Sequence, residues 1–307
     1  MLYFVINPGA SRTGYGWFVW KQLEKELKRR GEIYQYYVTK RPKEAVLYAK
    51  RLTAGTRKRR IIVLGGDGTL NEFLNGMERT KGIELGYIPV GSGNDFARGM
   101  KISKCYKKEF VRLLDHPRRM SLDYGIVTAP SVREKRFFVS AGMGYDARVC
   151  YKANHTKIKK VLNRMRMGKL VYLVVGLKYL IGAEVFHGSL EVDGRKVLEG
   201  EGFFFASVHI LPYEGGGFCF CPNADPEDGY LDICVAKGIS KWKIPFIIPL
   251  ALMGRHTKCK GVYQFRCKEV VMRSESGQYV HTDGETRGQE QKVKIDISKE
   301  KIMFIRG

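Results

Sequence analysis

Residues 61–76 read IIVLGGDGTLNEFLNG. Four apolar residues in a row suit a short, fully buried strand, and the spacing of apolar residues after Thr69 suits a helix. Between them lie Gly65, Gly66 and Gly68 around a single acid, Asp67. A strand that becomes a helix through so few side chains leaves bare backbone at its carboxyl end. In open α/β sheets, ligands bind at that end.

The surrounding sequence has the same alternation. Residues 2–6 (LYFVI), 33–39 and 85–90 read as strands, and residues 17–30 and 43–53 read as helices. Strands alternating with helices predict βαβ units and a parallel sheet. After about residue 122 the texture changes. Short strands are predicted at 122–127, 136–141, 189–193, 202–208, 230–235 and 269–273, which suggests a largely antiparallel β domain. Two longer stretches interrupt it. Residues 157–184 are helical and strongly basic at the start, and residues 240–254 (SKWKIPFIIPLALMG) are apolar and twice broken by proline. Residues 302–307 read as a returning strand. The expected division is an α/β domain over 1–122, completed by 290–307, and a β domain over 123–289.

The 307 residues allow two domains. Lys plus Arg number 54 against 31 Asp plus Glu, a formal charge of +23, which favours anionic partners and says nothing about fold. The seven cysteines are an odd number with no C-x-x-C pair, so a reducing, cytoplasmic setting is expected in place of disulfides or zinc. No stretch reaches the roughly 20 uncharged apolar residues of a membrane span. The basic residues are scattered and no nucleic-acid-binding signature accompanies them, so no nucleic-acid partner is expected.

A second loop, GSGND at 91–95, repeats the chemistry of the first after its own strand. Neither loop is a P-loop, because G-x-x-x-x-G-K-[ST] is absent, and GSGND lacks the third glycine of a dinucleotide fingerprint. Glycines let a polyphosphate lie against backbone N–H groups at a helix start. An acid such as Asp67 would repel a bare phosphate. It belongs beside a metal-bound one or beside a hydroxyl that gives up a proton. The structural alternative for Asp67 is a helix cap.

GGDGTLNEFLNG at 65–76 with GSGNDFARG at 91–99 resembles the catalytic domain shared by diacylglycerol kinases and related lipid kinases, most closely the soluble bacterial ones. NPGAS at 7–11, VTKRPKEA at 38–45, PNADPEDGYLD at 222–232 and HTDGE at 281–285 support it in order along nearly the whole chain. The resemblance implies an α/β plus all-β fold: an N-terminal Rossmann-like, three-layer α/β domain of the phosphofructokinase/NAD-kinase kind, and a C-terminal β-sandwich, with the active site in the cleft between them. It assigns ATP to Asn7, Pro8, Gly9, Ala10, Ser11, Thr39, Gly65, Gly66, Asp67, Gly68, Thr69, Asn71, Gly91, Ser92, Gly93, Asn94 and Asp95. It places Asp283 and Glu285 at the acceptor hydroxyl, with Asp283 favoured as base; the chemistry of ATP adds an expected catalytic Mg2+ through Asp67 or Asp95. Asp228, with backbone oxygens of Asp225 and Tyr230, is expected to hold a structural Mg2+.

The expected function is therefore ATP-dependent phosphorylation of a lipid alcohol at an anionic membrane surface, with the protein peripherally attached to the inner face. Diacylglycerol is the first candidate acceptor. The alternatives are a sphingoid base, a monoacylglycerol or phosphatidylglycerol, then NAD, and last a non-catalytic binding module. The basic run 157–169 and the segment around Trp242 are the expected lipid-contact regions, and FIIPLALM at 246–253 is a candidate homodimer surface. His155, His209 and His256 show no ligand spacing.

Overall fold

The structure is a computed structural model that describes residues 1–11, 14–103, 105–156, 171–180 and 182–307. The chain divides into two compact units: Met1–Leu122 with Lys299–Gly307, and Asp123–Ser298.

The first unit is a six-stranded sheet in the order β2-β1-β3-β4-β17-β5. Strands β1 (Leu2–Ile6), β2 (Tyr34–Val38), β3 (Arg59–Gly65) and β4 (Ile83–Pro89) pair in parallel, and β17 (Ile302–Arg306) joins β4 in the same sense. Only β5 (Arg118–Leu122) runs antiparallel, against β17. Helix α1 (Tyr15–Arg29) buries Val19, Trp20, Leu23 and Leu27, one stripe at helical spacing. That stripe meets Leu2, Phe4, Ile6, Ile62, Leu64 and Ile88 of the sheet, together with Phe110 and Leu113 of α5 (Tyr106–Asp115). The alternate strand residues Val5, Ile61, Val63 and Tyr87 are equally buried, as a sheet covered on both faces requires. Helices α2 (Glu44–Thr53) and α3 (Asp67–Gly76) pack on each other. The ring of Trp20 lies 4.9 Å from that of Phe4 and 5.9 Å from that of Tyr34.

The second unit is a nine-stranded antiparallel sheet, β14-β13-β10-β8-β15-β16-β6-β7, with β9 (Phe186–Val192) pairing both β10 (Arg195–His209) and β15 (Glu269–Thr282). Its other strands are β6 (Gly125–Ala129), β7 (Val132–Phe137), β8 (Ser140–Gly144), β13 (Leu231–Lys237), β14 (Val262–Cys267) and β16 (Glu285–Ile297). The short pair β11 (Tyr213–Glu214) and β12 (Phe218–Cys219) stands apart. Among the described residues, the α-helices of this unit are α6 (Tyr145–His155), α7 (Val171–Leu180) and α8 (Ile244–Leu252). Among the described residues no helix is long and apolar enough to cross a membrane.

Three sequence expectations are adjusted. The strand expected at 122–127 is two strands, broken at Asp123, whose N–H turns away to Pro226 O at 2.8 Å. The helix expected from Thr69 starts at Asp67, and α4 (Asp95–Gly99) begins directly from the second glycine loop. The return to the first sheet is limited to Lys299–Gly307, because β16 continues as the partner of β15 to Ile297. The basic run 157–169 lies outside the described residues.

Trp20→Ala removes the largest fully buried side chain of the first core. It is expected to lower stability by about 3–5 kcal/mol in urea titrations monitored by circular dichroism.

Candidate active site

In the first unit the glycine loops meet. A Cβ added at Gly91 would stand 2.6 Å from the Gly66 Cα, so the two backbones touch where only glycines fit. Asp67 locks the contact. Its carboxylate accepts the N–H groups of Asp95 (3.0 Å) and Phe96 (3.3 Å), which caps α4 from the neighbouring crossover. Asn94 adopts φ 55° and donates to Gly91 O at 2.8 Å, and Asp95 pairs with Arg98 at 3.1 Å. Ser92 and Gly93 lie half-buried between these groups.

The NPGAS loop joins the same group of residues. Asn7 Nδ2 donates to the Thr69 hydroxyl at 2.9 Å, and Asn7 Oδ1 accepts the Gly9 N–H at 3.1 Å. Pro8 O accepts the Trp17 N–H, Ala10 is buried and Ser11 is exposed. Thr39 is buried with both its N–H and its hydroxyl on Ile6 O, a local fastening. Asn71 is buried and accepts from Asn75, while Gly65 accepts the Tyr87 hydroxyl at 3.1 Å. Burial, with the charges of Asp67 and Asp95 nearby, raises the Tyr87 phenol well above its ordinary value. The start of α3, with Gly66 and Gly68, offers helix N-terminal N–H groups and the positive end of the helix dipole, the chemistry that holds phosphate.

In the second unit Asp283 and Gly284 form the tip of the β15–β16 hairpin, with φ 48° and 77° and Thr282 paired to Glu285. The Asp283 carboxylate accepts three successive backbone N–H groups, from Phe138 (3.1 Å), Val139 (2.8 Å) and Ser140 (3.1 Å). Its own N–H returns to Ser140 O. The side chain of Glu285 is 42% exposed, 3.3 Å from Arg287.

Behind the tip is a buried charge cluster. His281 Nε2 lies 3.1 Å from Asp146 Oδ2 and 3.2 Å from Glu214 Oε1. Ser207 Oγ lies 2.9 Å from His209 Nε2 and 3.1 Å from the other Glu214 oxygen. Burial alone would lower the His281 imidazole, but the Glu214 and Asp146 carboxylates hold it up at about 9. Burial pushes His209 down to about 4, so it is neutral. Ligating atoms of Cys150, Glu214 and His281 lie within 4.8 Å of one another, close enough to share a metal ion. In this structure the charged imidazole balances the acids.

Asp146 and Glu214 also line a cavity of about 140 Å³. Its walls are otherwise almost wholly apolar: Val149 of α6, Tyr172, Leu177 and Leu180 of α7, Phe204 and Phe205 of β10, and Ile244, Ile247 and Ile248 of α8. Well-packed interiors have few voids larger than a water molecule, so a cavity like this suits a ligand with an apolar chain. Tyr172 connects it to the hairpin: a Cβ added at Gly284 would stand 3.3 Å from the Tyr172 hydroxyl. Asn154 of α6 donates to Gly284 O at 3.1 Å.

Residues 1–125 match the family described as "Diacylglycerol kinase catalytic domain", and residues 139–298 match the "YegS C-terminal NAD kinase beta sandwich-like domain". Over 290 residues the chain is 30% identical to "Putative lipid kinase YtlR" of Bacillus subtilis (strain 168), with 93% of each chain covered. The chain belongs to the diacylglycerol kinase family of lipid kinases. It is also 30% identical over 227 residues to a protein named "Diacylglycerol kinase" from Mycobacterium tuberculosis (strain ATCC 25618 / H37Rv), covering 73% of this chain and 70% of that one. A solved diacylglycerol kinase structure from Bacillus anthracis str. Sterne superposes with a TM-score of 0.70 at 21% identity, covering 100% of this chain and 96% of that one, and so shares its fold.

In the segment expected to hold a structural Mg2+ in this lipid kinase, the acidic side chains have local partners. Asp228 accepts the Tyr230 N–H at 2.9 Å with one oxygen and is ion-paired to Arg266 with the other. Asp225 accepts the Glu227 N–H at 3.0 Å, and the Arg266 guanidinium lies 4.5 Å over the Tyr230 ring. The carboxylate that the resemblance gives to the ion is thus paired with Arg266 in this structure. Sequence reading missed the cluster of Asp146, Glu214, His281, Ser207 and His209. One signal was present in His209, a titratable residue ending the apolar run FFFASVHI.

Gly91→Ala drives a methyl into Gly66. It is expected to weaken ATP binding about tenfold or more, equivalent to roughly 1.4 kcal/mol, in calorimetric titration, with circular dichroism nearly unchanged. The raised His281 value stabilises the fold fully below its ordinary pKa of 6.5, and this contribution is lost as pH rises towards about 9. The melting temperature is therefore expected to fall between pH 6.5 and 9, and His281→Gln is expected to flatten that slope.

Proposed function

We propose that this chain is an ATP-dependent kinase that transfers the γ-phosphoryl group to the hydroxyl of a long-chain lipid alcohol, with diacylglycerol as the leading acceptor and phosphatidic acid as product. The observation that carries the reading is within the second unit. An apolar cavity shares Tyr172 with a hairpin tip bearing two carboxylates, so a chain in the cavity brings its polar end towards Asp283 and Glu285. An NAD acceptor would set ribose hydroxyls and an amide against Phe and Ile walls, which is unfavourable.

The nucleotide reading rests on the first unit. Its joined glycine loops and the start of α3 suit the phosphates of Mg-ATP, with Asp67 and Asp95 as the nearby acids. Asp283 is positioned for the acceptor. Three amide N–H groups fix its carboxylate in one orientation at the hairpin tip, as positioning of a lipid hydroxyl requires. Phosphoryl transfer through a loose transition state needs the hydroxyl oriented more than it needs a strong base. The acceptor resides in a membrane, so the enzyme works at that surface, and a charge of +23 favours an anionic inner leaflet.

The test is incubation with labelled ATP, Mg2+ and separate vesicles containing diacylglycerol, monoacylglycerol, a sphingoid base or phosphatidylglycerol, with NAD as a water-soluble control. Label is expected in an organic-extractable product, most with diacylglycerol; label only in NAD would overturn the reading. Asp283→Ala is expected to lower turnover at least 100-fold with ATP affinity within about threefold of wild type. Glu285→Ala reducing turnover as far while Asp283→Ala did not would assign the hydroxyl to Glu285.

A further inference from the structure

Helix α8 is apolar on both sides. Ile244, Ile247, Ile248 and Ala251 line the cavity. The opposite side, Trp242 just before the helix, Phe246, Leu252 and Met253 just after it, is exposed, with Trp242 at 82% and Phe246 at 77%. Pro245 and Pro249 are exposed on that side as well. A helix that turns one apolar side inward and shows another to solvent is not a finished surface. Along the chain on either side of it the charge has one sign. From residue 233 to residue 268 the sequence contains no Asp or Glu, while Lys243, Arg255, Lys258 and Lys260 are exposed.

We infer that the outer side of α8 is the docking surface for an anionic lipid leaflet and that, because the same helix walls the cavity, a lipid passes from the leaflet to the cavity along α8. This rests on the lipid-kinase reading for the passage of substrate, though not for the docking. The chemistry matches an interfacial helix: aromatic and aliphatic side chains enter the acyl boundary while flanking Lys and Arg meet anionic headgroups. Long basic side chains reach outward along an apolar body to do so. A second copy of the chain is the competing occupant, and charge disfavours it. A two-fold interface presents the same patch to itself, so Lys243, Arg255, Lys258 and Lys260 would face their own equivalents with no acid among them. The leaflet to which the helix docks is separated from the cavity only by the helix, about 10 Å across.

Neither Trp242, Phe246 nor Met253 lines the cavity, so the docking and binding sides can be separated experimentally. Trp242 is the reporter, because Trp20 is buried and Trp17 is packed against the first core. On vesicles of phosphatidylglycerol and phosphatidylcholine its emission is expected to shift to the blue, and on phosphatidylcholine alone to stay unchanged. Phe246→Ser with Met253→Ser is expected to weaken sedimentation with the anionic vesicles at least tenfold. Activity on a dispersed short-chain diacylglycerol should stay within twofold, while activity on vesicle-embedded diacylglycerol drops. Lys243→Glu with Lys258→Glu keeps the apolar side and is expected to reduce anionic-vesicle binding similarly. Equal binding by the double serine variant, an equal shift on neutral vesicles, or a wild-type dimer that the serine variant converts to monomer would each overturn the proposal. Vesicle binding with no phosphorylation of any lipid would remove the kinase reading and leave the docking surface in place.

Discussion

The three amide N–H groups on the Asp283 carboxylate are the interaction on which the second unit's organisation turns. Successive backbone N–H groups form a concavity that binds an anion, and here the anion is supplied from within the chain. The bond ties a hairpin tip to the segment leading into β8, the strand between β10 and β15. It also holds a strained backbone: Asp283 lies at φ 48°, which a non-glycine residue adopts at some expense. Behind it, β8 makes room for the charge cluster. A Cβ at Gly142 would stand 2.1 Å from Asp146 Oδ2 and 2.8 Å from His281 Nε2, so the pair depends on that bare backbone. One hairpin thereby joins the cavity wall to the tip carboxylates.

The first unit solves a similar problem with opposite means. Its glycine loops are smooth, and their rigidity comes from Asp67 crossing to cap α4. That single acid does the work of a helix cap and a tie between crossovers. The contact of Gly66 with Gly91 is tight because both strands that feed it, β3 and β4, are neighbours in register. Parallel neighbours place their following loops side by side, so the pairing of the loops follows from the sheet order.

Much of this was legible in the sequence. Alternation of short apolar strands with helical stripes gave the parallel sheet, and Gly-Asp-Gly after IIVL marked the strand end where backbone is bare. The change of texture near residue 122 marked the second domain, and the resemblance added the acids Asp283 and Glu285. What was hidden is tertiary. The cap from Asp67 to α4 joins residues 28 positions apart, and the nest on Asp283 joins residues more than 140 apart, and local pattern holds neither distance. The pairing of Asp228 with Arg266, which reaches it from β14, is likewise a contact that local pattern does not hold. His281 and Glu214 carry no spacing signal at all, because a strand end and a two-residue strand bring them together.

The acids share one feature that bears on chemistry. Asp67 and Asp283 spend carboxylate oxygens on backbone N–H groups, and Asp95 spends one on Arg98. Such carboxylates are fixed in place by their donors, which suits orientation of a hydroxyl. A reaction that demanded a strong base would be poorly served by them. Phosphoryl transfer through a loose transition state asks for little proton removal before the bond to the incoming oxygen has begun to form. Acids held in this way suit phosphorylation of a weakly acidic alcohol, the reaction of a lipid kinase, better than hydrolysis or abstraction of a proton from carbon.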